Sequence, residues 1–262
     1  MAATPIKLVL SPALIGVASL VGRRWGPRAA GWFTALPLTS GPVMFVLAVE
    51  QGPAFASRAC VGASLAVVSL SAYALTYAKA TARYGWMMSC LLGCAAFMAS
   101  TWLLHSAELS LTWAFVSACV ALTFAIRVLP REVNERVHTP AVAWDIPLRM
   151  VLAGLMVWVL SRAAIAIGPD MSGLLAPFPI AATILVAFTQ RREGAVAARQ
   201  FLRSLLVGLF SFAVFLLVVG AGLKRADIGT VFTVAVVVTL MMHGVVVWTT
   251  RFTHAPLPQC GE

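Results

Sequence analysis

The chain has 262 residues, of which 61% are hydrophobic and only 11% are charged. A soluble domain usually carries about 25% charged and about 45–50% apolar residues, so this composition excludes a water-soluble protein and indicates lipid as the solvent. The net charge of +10 does not indicate a nucleic-acid partner, because the basic residues fall in short clusters between apolar runs, as in the cytoplasmic loops of membrane proteins.

A membrane-crossing helix needs about 20 mostly apolar residues. The sequence predicts nine such helices joined by short loops, at 6–22, 29–49, 59–77, 86–104, 109–126, 146–167, 171–189, 202–221 and 228–248. Lysine and arginine concentrate on one side of the membrane if the N-terminus is periplasmic and the C-terminus is cytoplasmic. This distribution predicts the orientation of the chain.

A constant shift of 142 positions brings the first half of the chain into register with the second. Glycine and proline each make up only about 5–7% of residues on average, so their coincidence is more informative than matched leucines or valines. The matched pairs are Gly26 with Gly168, Pro27 with Pro169, Gly31 with Gly173, Pro37 with Pro179, and Gly52 with Gly194. We interpret Gly26, Pro27, Gly31, Gly168, Pro169 and Gly173 as structural residues of a repeat.

The repeat predicts an all-α integral membrane protein with four organisational units. Repeat A (1–104) has four helices, a linker (105–145) adds one helix and a cytoplasmic loop, repeat B (146–250) has four helices, and a cytoplasmic tail (251–262) follows. Each repeat crosses the membrane four times and ends on the side where it began, and the linker helix then crosses once. The second repeat therefore begins on the opposite side and has the opposite orientation. Such inverted repeats occur in many secondary transporters.

The second helix of each repeat is predicted to be interrupted near its middle by proline. An interior proline removes a helical hydrogen bond, and the freed backbone groups need protein or a water-filled cavity beside them. Interruptions at corresponding places in two halves indicate a midplane substrate site, although kinking for packing alone is the alternative. The predicted substrate-binding residues are Thr34, Pro37, Thr39, Ser40, Gly41, Pro42, Pro177, Pro179 and Thr183.

Two ionisable residues stand apart from the ordinary loop charges. His243 lies inside the last predicted helix, where either a proton-relay role or a neutral histidine bonded to a neighbouring helix is consistent with its position. Arg58 lies on the predicted outer side, where the preference for cytoplasmic basic residues does not explain it. No paired carboxylates, metal-ligand cluster or nucleophile constellation is found, so we expect no enzyme activity, no metal and no cofactor.

One predicted helix, 59–77, is unusually polar. Its hydroxyl side chains favour a position inside the bundle or along a pathway over a lipid-facing one. They are Ser64, Ser69, Ser71, Tyr73, Thr76 and Tyr77.

The stretch SGLLAPFPIAATILVAFTQRREGAVAARQFLRSLLVGLFSFAVF at 172–215 resembles the GlpM family of small bacterial inner-membrane proteins. The matching residues are Gly173, Leu174, Pro177, Phe178, Pro179 and Gly194, with Ala198–Arg199 near a further family position and looser matches at Gly31, Leu36, Pro37 and Gly52. The resemblance implies a four-helix unit, present here as two fused copies, and a link to the production of exported polysaccharide. It implies no transported molecule and no catalytic residue.

These features together predict a small inverted-repeat transporter or exporter of a bacterial inner membrane, with a small anion or an envelope precursor as substrate. The alternative is an accessory protein that assists envelope polysaccharide synthesis without transporting anything. The expected partners are membrane lipids, a small-molecule or lipid-linked substrate and a second copy of the chain, but no nucleic acid.

Overall fold

A computed structural model describes the backbone of residues 3–38, 40–129, 144–167 and 178–252, and the side chains of 12–38, 40–129, 144–159 and 178–245. Within these ranges all regular structure is helical. The helices are α1 (Ala3–Trp25), α2 (Pro27–Ala35), α3 (Ser40–Glu50), α4 (Pro53–Ala80), α5 (Trp86–Leu104), α6 (Leu111–Val128), α7 (Asp145–Ile167), α8 (Ile180–Gly222) and α9 (Ile228–Phe252).

Six segments of the described chain are long and apolar enough to cross a membrane. They are Pro27–Glu50, which joins α2 and α3, then Pro53–Ala80, Trp86–Leu104, Leu111–Val128, Ile180–Gly222 and Ile228–Val245. An all-α architecture with this many apolar helices fits a membrane protein, as the composition predicts. The count of nine crossings and the orientation of the termini stay predictions.

Helix α8 consists of two helices that meet at Gly194. Its 43 residues would span roughly 65 Å if the helix were continuous, about twice the hydrocarbon thickness of a bilayer. Gly194 has φ 87° and ψ −179°, which interrupts the helical backbone. We therefore treat 180–193 as the first part of α8 and 195–222 as its second part.

Three glycines share one unusual backbone conformation. Gly26, Gly52 and Gly194 have φ of 88°, 88° and 87° with ψ close to 180°, a region that is essentially restricted to glycine. Each of them directly precedes a helix: α2, α4 and the second part of α8. The recurrence of glycine at these places in the sequence therefore has a local backbone cause.

Substitution of Gly194 isolates this backbone requirement. A Cβ atom at Gly194 would meet no atom within 4 Å, so Gly194→Ala introduces backbone strain without a steric clash, and we expect a loss of about 1–3 kcal/mol of stability. Gly62→Ala is the control, since this exposed glycine lies inside α4 with equally open space, and alanine there gains about 1 kcal/mol of helix propensity. Unfolding in mixed micelles of a denaturing detergent measures both, and equal effects of the two variants would contradict the interpretation.

The helix bounds in the two halves of the chain differ by the same 142 positions that relate the sequence pattern. Adding 142 to the bounds of α1, 3 and 25, yields 145 and 167, the bounds of α7. The same shift takes the end of α4 at Ala80 to the end of α8 at Gly222, and the start of α5 at Trp86 to the start of α9 at Ile228.

Helices α1 and α7 pack against each other in antiparallel fashion. Arg23 near the end of α1 forms an ion pair with Asp145 at the start of α7. Further along, a Cβ on Gly154 would lie 3.7 Å from Pro12 Cγ. Pro12 and Gly154 are separated by 142 positions, so residues that match in the sequence repeat also lie opposite each other in space.

Helix α4 and the second part of α8 form the second antiparallel pair, and both are largely buried. Near the start of α4, Ser57 Oγ donates a hydrogen bond to Gly220 O at 2.7 Å. Just past its end, Thr81 Oγ1 accepts one from Arg199 Nη1 at 3.0 Å. Because the contacts lie at the two ends of the pair, the two helices cross near their middles. The crossing lies near Ser69 of α4 and near Ser211 in the second part of α8.

Helix α6 lies against both members of this central pair. Its buried face carries mostly small side chains: Ala114, Ala118, Leu122 and Ala125. Arg203 of α8 donates hydrogen bonds at 3.0 Å to the carbonyl oxygens of Ile126 and Leu129, at the C-terminal end of α6. A cation there stabilises the unpaired carbonyls and the negative end of the helix dipole, which explains Arg203 more specifically than its charge alone does.

Candidate functional site

The interruption predicted at Pro37 is present in the structure. Helix α2 ends at Ala35, Leu36 adopts an extended backbone with φ −66° and ψ 146°, and α3 begins at Ser40. Proline disfavours helical geometry at the residue before it, which places the break at Leu36. Pro42 does not take part in the break, because it lies in the first turn of α3, where proline is tolerated.

The corresponding place in the second half is described from Phe178 onward. Helix α8 begins at Ile180 with Pro179 at its N-cap, and this proline makes no capping hydrogen bond. Five predicted residues lie outside the described part of the chain. They are Thr39, Pro177, Gly168, Pro169 and Gly173.

A partly open cavity of about 40 Å³ lies beside the break between α2 and α3. It is formed between α1, the end of α2, the break and the start of α8, and most of its lining is apolar. The lining residues are Leu14, Ile15, Ala18, Phe33, Thr34, Leu36, Leu38, Ala181 and Leu185. The cavity therefore lies between the break at Leu36 and the first turns of α8.

The polar residues predicted at the first break contribute little to this cavity. Thr34 lines it, but its hydroxyl donates to Ala30 O of its own helix at 2.7 Å. Ser40 and Gly41 are half-buried, and Pro42 is exposed. A Cβ at Gly41 would lie 3.6 Å from Phe215 Cζ, so this residue faces an aromatic ring instead of a polar group.

Helix α4 places several hydroxyl side chains in the interior of the bundle, as its composition predicts. Ser64 and Ser71 each donate to the carbonyl four residues earlier, at 2.8 and 2.9 Å. Three other hydroxyls of this helix are buried without a hydrogen-bond partner in the described chain: Ser69, Tyr73 and Tyr77. Two hydroxyls of α8 share this property, Thr183 and Ser211.

Tyr73, Tyr77 and Thr183 form one cluster, which we call the hydroxyl site. The tyrosine rings are 5.8 Å apart, and the Thr183 hydroxyl lies close enough to Tyr73 and Cys94 to interact with both, although neither contact has good hydrogen-bond geometry. Helix α5 packs closely here, since a Cβ at Gly93 would be 3.0 Å from the Tyr73 ring. Sequence analysis places Thr183 in a substrate site and the tyrosines in the bundle interior, but it does not bring them together.

The hydroxyl site is energetically unusual. A serine or threonine can turn its hydroxyl back to its own helix, whereas a tyrosine hydroxyl lies too far from its backbone to do so. Each buried polar group left without a partner costs about 1–3 kcal/mol. Three such groups oppose a net stability that is typically about 5–15 kcal/mol, so a site of this kind is expected to bind something that satisfies it.

A second polar cluster lies at one end of the bundle, around Asp145. Its Oδ2 atom accepts from Arg192 Nη1 at 2.7 Å and pairs with Arg149 Nη2 at 2.8 Å and Arg23 Nη2 at 3.5 Å. The Asp145 and Arg149 side chains are only 7% and 8% exposed. The cluster connects α1, α7 and the first part of α8, and the Arg149 guanidinium also lies 4.9 Å from the Phe188 ring centroid.

The two ionisable candidates from the sequence lie in different environments. Arg58 is exposed in the first turns of α4. His243 is half-buried, and its Cε1 lies 3.4 Å from where a Cβ would sit on Gly208. Its Nδ1 atom is buried without a hydrogen-bond partner in the described chain, so the bond to a neighbouring helix expected from the sequence is not formed through Nδ1.

The described part of the chain contains no group of three or more histidine, cysteine or acidic side chains placed to hold a metal ion. The fold and the buried hydroxyls define an all-α membrane protein with polar groups inside its helix bundle. Comparison of the chain with protein-family models, curated proteins and solved structures finds no match. Its function therefore has to be inferred from its own geometry.

Proposed function

We propose that this protein is a small inverted-repeat transporter of the bacterial inner membrane, and that its substrate crosses near the contact between α4 and α8. Repeat A is α1 to α5, α6 is the linker, and repeat B is α7 to α9. The alternative of an accessory membrane protein predicts no solute movement.

The matched helix bounds and the antiparallel pairs support the inverted repeat. Two units of opposite orientation bring equivalent helices together head to tail around a pseudo-twofold axis. Contacts between α1 and α7, and between α4 and α8, have this form. Pro12 and Gly154 lie opposite each other, which fits a twofold axis passing between α1 and α7. Ser69 and Ser211 are also separated by 142 positions and lie where α4 crosses α8, which fits the same axis passing between these two helices.

The observation that carries the proposal is the set of buried hydroxyls without partners around this crossing. Ser69 and Ser211 are 1% and 0% exposed, and the hydroxyl site lies on the same two helices. Each serine lies close to the middle of its helix, which is the middle of the bilayer for a crossing helix of this length. Polar groups at that depth are expensive in lipid and typically line a substrate pathway.

The interrupted helices supply the second part of the proposal. The cavity beside the break at Leu36 is also lined by Ala181 and Leu185 of α8. A helix that is interrupted at a cavity exposes backbone groups and can change the angle between its two halves. We propose that movement at these two places alternately opens the pathway to either side of the membrane.

Replacing the prolines at these places tests the proposal. We expect Pro37→Ala and Pro179→Ala to insert and fold normally but to slow transport about tenfold or more, because small displacements of lining residues have large kinetic effects. Proteoliposomes containing the full chain are challenged with potassium salts of small anions, with polyols and with sugars, and volume recovery is followed by light scattering.

Pro53→Ala is the matched control, since Pro53 is exposed at the first position of α4, where proline contributes little beyond its preset backbone angle. It should leave the rate unchanged. If the natural chain moves no solute faster than empty liposomes do, the transport proposal is wrong and the accessory function is favoured. If all three variants behave alike, the interrupted helices are not part of the mechanism.

The inner-membrane location and the descent from two GlpM-like units belong to the same proposal. They follow from the resemblance at 172–215 and from the distribution of basic residues. Labelling of single cysteines placed in the loops, in intact cells and in lysed cells, tests the predicted periplasmic N-terminus and cytoplasmic C-terminus.

A further inference from the structure

The repeat relates the hydroxyl site to a second position with different chemistry. A shift of 142 takes Tyr73 to Phe215, Tyr77 to Val219, and Gly41 to Thr183. The contacts are equivalent as well, since Thr183 lies beside Tyr73 and Gly41 faces the Phe215 ring. We call the position formed by Gly41, Phe215 and Val219 the aromatic position.

The aromatic position is filled by packed rings. The Phe215 ring lies 6.2 Å from that of Phe232, which in turn lies 5.2 Å from that of Phe45. Phe232 corresponds to Cys90 near the hydroxyl site, so the change from polar to aromatic extends beyond the three defining residues. None of the three residues of the aromatic position carries a polar side chain. The two halves of the protein have therefore diverged at equivalent places.

The charge of the hydroxyl site favours an anion over a cation. All three of its side chains are neutral and can donate a hydrogen bond. Thr183 lies in the first turn of the first part of α8, where the N-cap Pro179 makes no capping hydrogen bond and the turn itself carries no acidic residue. The partial positive charge of a helix N-terminus attracts anions, and the neutral hydroxyls provide donors around it.

The space at the hydroxyl site favours a small ligand. Gly93 allows α5 to lie directly against the Tyr73 ring, with a Cβ-to-ring distance of only 3.0 Å, and against the Tyr77 ring at 3.2 Å. Tyr73, Tyr77 and Thr183 are at most 3% exposed. A sugar or a lipid headgroup would need these helices to separate widely, so a dehydrated ion of halide size requires the least displacement of the packed helices.

We propose that the hydroxyl site binds a small monovalent inorganic anion of halide size and that the aromatic position does not. Tyr73, Tyr77 and Thr183 donate hydrogen bonds to the anion, which replaces the water it loses on entry. The role of the anion as substrate rests on the proposed transport function, but its binding does not. The protein then has one anion site per chain, in spite of its two repeats.

Bromide is the probe, because it is of halide size and can be located by anomalous X-ray scattering. Crystals of the full chain grown in sodium gluconate and soaked in sodium bromide should show a peak between Tyr73 and Thr183, and none beside Phe215. In detergent solution, bromide should raise the thermal unfolding temperature relative to gluconate at equal sodium concentration. A shift that follows the cation instead of the anion would overturn the proposal.

Tyr73→Phe and Thr183→Val remove one donor each and should weaken bromide binding about tenfold to a hundredfold. Both variants should be more stable than the natural chain in gluconate, because each removes a buried hydroxyl that has no partner. Failure to fold is therefore not the expected outcome. If the hydroxyls bind the anion, each variant lowers the bromide affinity but raises the stability in gluconate. If they serve only in packing, each variant lowers the stability in both salts.

Thr239→Val is the matched control for Thr183→Val. Thr239 is equally buried, but its hydroxyl donates to Ala235 O at 2.6 Å, so its removal should lower stability and leave bromide affinity unchanged. Phe215→Leu should also leave bromide affinity unchanged. Equal loss of affinity in Thr239→Val and Thr183→Val, or a bromide peak at the aromatic position, would contradict the proposal.

The outcomes separate this inference from the transport proposal. Bromide bound at the hydroxyl site by a chain that moves no solute would support the site and contradict transport. Solute flux that is unaffected by Tyr73→Phe, with no bromide bound, would support transport and contradict the site.

Discussion

Replacing Asp145 with asparagine is expected to cost about 3–5 kcal/mol of stability, the range observed when one partner of a buried ion pair is removed. Asp145 is the carboxylate at the centre of Arg23, Arg149 and Arg192, and its side chain is 7% exposed. Its loss leaves three guanidinium groups close together, with Arg149 almost fully buried. Unfolding in mixed micelles of a denaturing detergent measures the change.

Glu50→Gln is the matched control for Asp145→Asn. Glu50 is an exposed carboxylate at the end of α3, so loss of its charge should change stability by no more than about 0.5 kcal/mol. Arg23→Gln should be milder than Asp145→Asn, because the Arg23 pair is the longest at 3.5 Å and the most exposed. Asp145→Asn with an effect as small as that of Glu50→Gln would mean that the cluster does not hold α1, α7 and α8 together.

Gly31→Leu is expected to prevent α2 from packing against α8, with a loss of more than about 3 kcal/mol. A Cβ at Gly31 would collide with the backbone oxygen of Phe201 and lie 3.0 Å from the backbone nitrogen of Leu205. Backbone atoms cannot move aside as a flexible side chain can, so the two helices would have to separate. Thermal unfolding in detergent and the yield of monodisperse protein both report this loss.

Gly62→Leu introduces the same side chain into α4 at an exposed position with nothing within 4 Å. It should be neutral or slightly stabilising, since leucine forms helices better than glycine does. A normal yield of Gly31→Leu would show that α2 and α8 do not lie in backbone contact.

The features that the sequence predicts well are those decided by one residue and its neighbours. Pro37 interrupts its helix because proline acts on the backbone directly. The helices that follow Gly52 and Gly194 begin earlier than the predicted starts at 59 and 202, because these glycines set the backbone angles at the helix starts. The burial of α4 also follows from composition, since a helix with so many hydroxyls is unfavourable against lipid. The sequence does not distinguish Pro42 from Pro37, because the effect of each proline depends on where α3 begins, and only the structure shows the start at Ser40.

The features that the sequence could not predict depend on which helices touch. Tyr73 and Thr183 are far apart in the chain, and only the packing of α4 against α8 brings their hydroxyls together. In the sequence Arg203 is one more basic residue near the end of a predicted helix, and only the structure shows its carbonyl partners at the end of α6. The Asp145 cluster joins residues from three helices, and neither propensity nor hydropathy indicates such a contact.

The contacts of helix α6 have a mechanical consequence for the proposed transport cycle. It touches both α4 and α8, and its buried face consists of three alanines and Leu122. Rotation of one central helix relative to the other must be accommodated along this surface. In the proposed transport cycle, the two central helices therefore move relative to each other while both stay in contact with α6.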